Sequence, residues 1–382
     1  MVQADYDNDG DIDVFIVRGA WLKGWGRHPN SLLRNDGGSF TDVTFESGLG
    51  EVHYPCKTAA WADYDNDGDL DLYVGNESTD ECRAPAQLFR NNGNGTFTDV
   101  ASAAGLKEEL FAMGCTWGDY NGDRYPDLFV SNGGRNRLYR NNRDGTFTDV
   151  AKELGVDKPI ASFPTWFWDY NNDGALDLYV GCSSGHVGIL SLSSLGVDPT
   201  SVTTSIRQLQ EEVEVELMAL YQGNGEGGFL DVSRAQNLTY PSLPMGANFG
   251  DLNNDGYLDF YLGTGDIYFS EVMPNVMFLN QAGQGFANVT MAGGFGHLQK
   301  GHAVAFADLD NDGDQDVYIQ MGGAFRSDKF NDALFENPGF ENHWITIQLV
   351  GERSNRSAIG ARIRAVIVED GVERSVYRHV NS

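Results

Sequence analysis

The sequence predicts an all-β protein, a β-propeller built from four-stranded blades. Three observations carry that expectation. A nine-residue acidic string recurs six times, starting at residues 5, 63, 119, 169, 251 and 308, at intervals of 58, 56, 50, 82 and 57. A second string travels with it: LLRNDGGSFTDV at 32–43, LFRNNGNGTFTDV at 88–100, LYRNNRDGTFTDV at 138–150, LYQGNGEGGFLDV at 220–232 and, weaker, MFLNQAGQGFANV at 277–289. Each unit also reads as four short β-rich runs, and four strands per repeat of this length mark a propeller blade rather than a solenoid coil.

Each unit is read in chain order. An apolar run leads into the acidic string (AAWADY, GCTWGDY, ANFGDL, VAFADL) and is the first strand. Its last two residues alternate large and small: Trp61–Ala62, Trp117–Gly118, Phe249–Gly250 and Phe306–Ala307, with Phe167–Trp168 as the variant. That alternation suits sheets packed on both faces by neighbours. The run after the acidic string (DLYVGN, DLFVSN, DFYLGT, DVYIQM) is the second strand. The second string supplies two more, split by Gly-Asn or Asp-Gly turns. The propeller is placed at 1–340. Residues 183–219 interrupt the fourth unit. There Asp198-Pro199 can cap a helix, and Val202, Ile206, Leu209, Val213, Leu217 and Leu220 recur at helical spacing. A helix on the rim is expected, with a lid or partner-docking element as the functional alternative. Residues 341–382 form a separate, partial C-terminal β domain.

The acidic strings have the composition of calcium loops. Positions 1, 3, 5 and 9 are always Asp or Asn: Asp5, Asp7, Asp9 and Asp13; Asp63, Asp65, Asp67 and Asp71; Asp119, Asn121, Asp123 and Asp127; Asp169, Asn171, Asp173 and Asp177; Asp251, Asn253, Asp255 and Asp259; Asp308, Asp310, Asp312 and Asp316. Position 7 is Asp11, Asp69, Tyr125, Ala175, Tyr257 or Asp314, so it can offer only a backbone carbonyl in common. Four side-chain oxygens, a carbonyl and a water make the oxygen shell that Ca²⁺ prefers, whereas Zn²⁺ takes N and S and Mg²⁺ keeps its waters. Gly at position 6 permits a positive φ. An EF-hand is excluded, since position 12 (Val74, for example) falls inside a strand rather than supplying Glu. The expected cofactor is therefore Ca²⁺, up to six ions. Loops one, two and six carry four ligand aspartates, while loops three to five substitute Asn121, Asn171 or Asn253. Loop three also has Arg124 for the position-6 glycine, with Gly122 two places early. It is expected to be the weakest site or to use a distorted turn.

At these residues the chain resembles the FG-GAP/VCBS repeat family, the calcium-loop blades of integrin α-subunit propellers and of many secreted bacterial proteins. The resemblance covers 1–338. It implies calcium in the first inter-strand loop and, usually, a ring of seven blades. With six loops visible, one blade is missing upstream or lacks its loop. The stretch NHWITIQLVGERSNRSAIGARIRAVI at 342–367 resembles the start of the ASPIC/UnbV domain, which follows such repeats in cartilage acidic protein and its bacterial relatives. Together they imply calcium binding and extracellular interaction more than any reaction.

Composition narrows the classes. Hydrophobic residues at 41% and aromatics at 12% support a large core. A net charge of −29 disfavours nucleic acid and anionic membranes. The six loops hold 24 of the 55 acidic residues, and six Ca²⁺ would bring −29 to −17. No apolar stretch is long enough to span a bilayer, and no signal segment precedes the first loop. Cys56, Cys82, Cys115 and Cys182 lack zinc spacing. Cys56 and Cys82 return to one end of one blade and are expected to form a disulfide, with Cys115 and Cys182 reduced. On the face opposite the acidic loops, His53, Lys57, Arg83, His186, His297, Lys300 and His302 gather with Trp21, Trp25, Arg27 and His28 from the first unit. They suit an acidic glycan or a carboxylate. Asn76, Asn94, Asn237, Asn288 and Asn355 begin N-x-S/T triplets. No GxSxG, HExxH or phosphate loop occurs. The expectation is a secreted, extracellular or periplasmic adhesion module with a protein or carbohydrate ligand. The alternative is a lyase or cyclase working at the channel.

Overall fold

Six antiparallel sheets follow one another along the chain, over 2–42, 56–99, 112–149, 162–231, 244–288 and 301–335, and form a six-bladed β-propeller. This computed structural model describes residues 1–183, 216–265, 273–323, 328–340, 342–369 and 371–381. Within each blade the strands pair in sequence order, with the acidic loop joining the first strand to the second. Blades one to five have four strands, whereas the described residues of blade six give three. Pro338 accounts for the difference. At the equivalent place Asn92, Asn142, Asn224 and Gln281 donate a backbone N–H across the last hairpin, to Thr96, Thr146, Gly228 and Gly285. Proline has no such donor, and the hairpin does not close.

The blades pack through one repeated pair from the second and third strands. Phe15–Leu32, Tyr73–Leu88, Phe129–Leu138, Tyr179–Leu220 and Tyr261–Met277 face each other in register and are all fully buried. The large residue ending each first strand fills the gap beside them. Trp61 lies among Phe15, Tyr6 and Phe97, and Gly118 is bare because the Phe167 ring sits 2.7 Å from where its Cβ would be. Each glycine in this column therefore answers a neighbour's aromatic ring.

In blades two to six the register between the first and second strands shifts near the end remote from the acidic loop. A bulge leaves a residue out of the ladder and re-aims its side chain. Lys57, Phe163, Met245 and His302 occupy these places.

The expected rim helix falls mostly outside the described residues, as do Val202, Ile206, Leu209 and Val213. Its last member is strand: Leu220 lies in Ala219–Gly223 and is fully buried in the core of blades four and five. Blade packing overrides helical spacing there. The one described α-helix is Ala101–Ala104, and no helix of the described residues is long and apolar enough to cross a membrane. The C-terminal stretch forms a single hairpin, Arg362–Glu369 with Val372–His379, seated on the acidic-loop face.

Candidate functional site

The six acidic loops share one backbone. Position 4 has positive φ in every loop (Asn8 +58°, Asn66 +60°, Gly122 +73°, Asn172 +57°, Asn254 +53°, Asn311 +63°), and so does position 6. Loop three is therefore not distorted: Arg124 adopts φ +72° where the others place glycine, and glycine takes the asparagine's place at 122. Outside glycine, Asn is among the residues that reach this region most readily.

Carboxylates hold the loop from inside. The first aspartate accepts the N–H of position 6 in every loop and that of position 5 in all but loop two, as Asp5 does from Gly10 (2.9 Å) and Asp9 (3.0 Å). The fifth accepts from position 7, as Asp67 does from Asp69 at 2.9 Å. The ninth is fully buried and bridges two strands: Asp71 accepts from Tyr64 at 3.3 Å and from Asn91 at 2.8 Å. What remains is negative and crowded. Carboxylate oxygens of Asp5, Asp7 and Asp13 lie within 4.8 Å of one another, as do those of Asp63, Asp65 and Asp71, and of Asp308, Asp310 and Asp312. Among the described residues Asp63 Oδ1 and Asp65 Oδ1 are buried with only backbone N–H groups, chiefly that of Asp67, facing them, and Asp63 is only 8% exposed. Burial pushes these carboxyls up: Asp63 to about 6, Asp13 to about 7, Asp127 to about 8 and Asp71 to about 9. A cation among these oxygens would relieve both costs. The donor set is all oxygen, which fits Ca²⁺. The side chains of Asp11, Asp69 and Asp314 turn outward, accepting from Gly37, Asn8 and Asn254.

Two asparagine systems, not foreseen from the sequence, tie the loops together. At position 4 the Asn8, Asn66, Asn172 and Asn254 amides donate to the position-6 carbonyl of the next loop, at Gly68, Arg124, Gly256 and Gly313. From the third strands, Asn91, Asn141, Asn280 and Asn337 donate to Tyr6, Tyr64, Tyr170 and Leu252 of the preceding blade. Between blades three and four both are missing, since Gly122 and Gly223 stand at the two positions. There Arg362 of the C-terminal hairpin donates to the Gly174 carbonyl instead.

At the opposite end, the blade-one loop crosses the channel mouth. Trp21 holds φ +68°, its N–H donates to the buried Glu77 carboxylate at 2.5 Å, and its ring stacks on Phe163 of blade four. Lys57 sits beneath it, its Nζ 3.0 Å from the Trp21 ring centroid, 4.7 Å from that of Phe111 and 5.6 Å from that of Phe163. Burial pushes this amine down to about 7, while the three rings favour its charged form. Trp21 remains 51% exposed, and it walls a cavity of about 680 Å³ lined also by Met245, Lys300, His302, Asp328 and Phe330. Lys300 and Asp328 form a buried ion pair at 3.0 Å, and His302 Nε2 lies 2.7 Å from the Gly322 carbonyl.

The other candidates of this face are dispersed. His53 bonds the Gly50 carbonyl, Arg83 pairs with Glu109, Arg27 reaches Tyr54 and the Arg83 carbonyl, and His297 packs on Phe335. Trp25 and His28 are exposed, and His186 lies outside the described residues. The bulge residues Phe163 and Met245 were missed, although each stands six places before its first aspartate, as Lys57 does. Among the N-x-S/T triplets, Asn76 and Asn355 are buried and their amides donate internally, to Pro85 and Ile359.

The expected disulfide is absent. Cys56 and Cys82 are separate thiols, and no cysteine is in a disulfide. The bulge between Cys56 and Thr58 explains this. It leaves Cys56 in the core shared by blades one and two, while Cys82 closes a tight turn onto Thr79.

No curated protein matches the chain significantly. Many solved structures resemble it, including these two. One is a lectin of Agrocybe aegerita described as recognising non-reducing terminal N-acetylglucosamine, at 16% identity and TM-score 0.47, covering 89% of this chain and 77% of that one. The other is a Trypanosoma rangeli sialidase in complex with sialic acid, at 9% identity and TM-score 0.45, covering 87% of this chain and 52% of that one. Likeness at this level carries nothing about ligands. Residues 5–74, 63–130 and 119–180 each match the model of the FG-GAP-like repeat, so the six-bladed β-propeller carries FG-GAP-like repeats through its first blades.

Proposed function

We propose that the protein is a calcium-stabilised β-propeller acting as an extracellular binding module, with its ligand held at the channel mouth. The observation that carries the reading is the state of loop two. Asp63 is nine-tenths buried, and two further carboxylates crowd it within 4.8 Å. Five more loops repeat its backbone. Loops of ordinary extracellular affinity, with dissociation constants of roughly 10⁻⁴–10⁻³ M, would stay empty at resting cytosolic calcium. That is the argument for an extracellular address, and the absent Cys56–Cys82 disulfide weakens it.

The ligand reading rests on Trp21. A half-exposed indole, fixed by Glu77 and backed by two aromatic rings, is a platform for the apolar face of a sugar ring. With Lys300 neutralised by Asp328, Lys329 and His302 are the basic groups left among the described residues lining that mouth, and they suit an acidic glycan. The enzyme alternative needs a histidine–carboxylate pair. Here His302 and Asp328 each have other partners, and no observation among the described residues favours it.

The test has two arms. Millimolar Ca²⁺ is expected to raise the melting temperature over EDTA by mass action, with Mg²⁺ substituting poorly. Equal melting temperatures would end the calcium reading. A glycan and protein array, probed with wild type and Trp21→Ala, is expected to show acidic glycans bound by wild type alone. Binding unchanged by Trp21→Ala would remove the ligand from this mouth.

A further inference from the structure

We propose that the C-terminal hairpin is a cis-acting occupant of the acidic-loop face, and that divalent cations and its arginines compete there. The inference rests on the calcium reading above and concerns regulation of those loops.

The segment brings six of the chain's 26 basic residues within 353–378. Four of them make contacts with the loops. Arg378 donates from Nη2 to Asp251 Oδ2 at 2.9 Å and from Nη1 to the Gly256 carbonyl at 3.2 Å. Arg374 donates to the Asp255 carbonyl at 2.7 Å. Arg356 places its Nε 3.8 Å from Asp5 Oδ2, and its backbone N–H donates to Asn8 Oδ1 at 2.7 Å. Arg362 takes the Gly174 carbonyl. Neutral contacts fix the register: Asp5 N–H to Ser357 Oγ at 3.0 Å, and Tyr377 N–H to Asn172 Oδ1 at 2.9 Å.

Two of the contacts fall on carboxylates a bound ion would need, and the others lie on backbone carbonyls beside them. Asp251 and Asp5 hold position 1 of loops five and one. In loop five the first carboxylate, the fifth residue's carbonyl and the sixth's carbonyl are all engaged by guanidinium groups. A dication held by Asp251, Asn253 and Asp255 would lie beside Arg378, like charge against like in a partly buried place. Cation loading and hairpin docking therefore share a coupling free energy, and the coupling is reciprocal. With the loops empty the arginines neutralise them. With the loops loaded the hairpin loses its two carboxylate contacts. Loop five should fill late, even though its turn is undistorted.

The full chain tests this by calorimetric Ca²⁺ titration of wild type, Arg378→Ala, Arg378→Lys and Arg364→Ala. Arg364 is the control, because it faces Ser375 and Tyr377 of its own hairpin. One site is expected to tighten about tenfold in Arg378→Ala, within the 5–150-fold range usual for such coupling. Arg378→Lys should tighten it less, and Arg364→Ala not at all. Hydrogen exchange of the wild type reads the reverse direction without any variant. Amides of 362–379 should exchange several-fold faster in Ca²⁺ than in EDTA. Calcium binding that is indifferent to Arg378, or a hairpin equally or better protected in Ca²⁺, overturns the competition while leaving calcium binding intact. A wild type that binds no Ca²⁺ overturns both readings.

Discussion

Asp71 receives the N–H of Tyr64 on one oxygen and that of Asn91 on the other, so it joins the loop's approach to the third strand. The same two bonds recur at Asp13, Asp177, Asp259 and Asp316. Asp67, by contrast, is exposed and accepts one N–H. The two aspartates should part company when mutated. Asp71→Asn keeps one acceptor and sets an amide N–H₂ against a backbone donor, at a cost of about 1–3 kcal/mol even in EDTA. Asp67→Asn keeps its acceptor and should be near neutral in EDTA, losing only the gain from calcium. Denaturant melts of both variants with and without Ca²⁺ check this. A pH dependence follows from the same burial. Asp13, Asp127 and Asp71 are raised to about 7, 8 and 9 in the folded state by desolvation, against an ordinary 3.8. Between those limits the folded chain binds more protons than the unfolded chain, so stability in EDTA should fall as pH rises from about 4 to 9. Ca²⁺ should flatten that slope, and a cation-free melting temperature that climbed over the same range would contradict the burial argument.

At the scale of the element, the two asparagine systems make each junction a test of the next. Asn141 spans blades two and three, giving its amide to the carbonyls of Tyr64 and Pro126. Asn141→Ala orphans the buried Tyr64 carbonyl and frees the half-buried Pro126 carbonyl, and should cost about 1–3 kcal/mol by urea titration. The junction of blades three and four lacks both asparagines, and Gly122 already has the αL backbone that asparagine adopts elsewhere. In an Arg362→Ala background, Gly122→Asn should restore roughly 1 kcal/mol by reaching the Gly174 carbonyl. No recovery would mean that the Arg362 contact is not what replaces the missing amide. These junctions also mark how far the sequence could be read. The glycine at position 6 was legible, because a bare αL residue at fixed spacing has one meaning. The asparagine at position 4 was not, because it answers to a loop 58 to 84 residues away. The bulges defeated the sequence reading in the same way. Counting along ideal strands brings Cys56 toward Cys82, and a single out-of-ladder residue is enough to separate them.

On the scale of the whole molecule, the repeated interface does not end as it begins. Five successive pairs, from Phe15–Leu32 to Tyr261–Met277, are fully buried against the blade that follows. The sixth, Tyr318–Leu334, holds the same register but is 39% and 57% exposed. The blade motif was legible to its last copy, yet burial is a property of the neighbour and not of the motif. The same leucine should therefore carry different weight along the chain. Leu138→Ala opens a cavity between two packed sheets and should cost about 2–5 kcal/mol. Leu334→Ala removes a side chain already in water and should stay within about 0.5 kcal/mol. In a repeat array, stability sums local terms and nearest-neighbour interfaces, so the blade with one covered face opens first. Native-state hydrogen exchange should show blade six, 301–335, opening at the lowest free energy and blades two and three at the highest. Equal protection across all six would mean that the exposed face of blade six is covered in solution, and Leu334→Ala would then cost as much as Leu138→Ala.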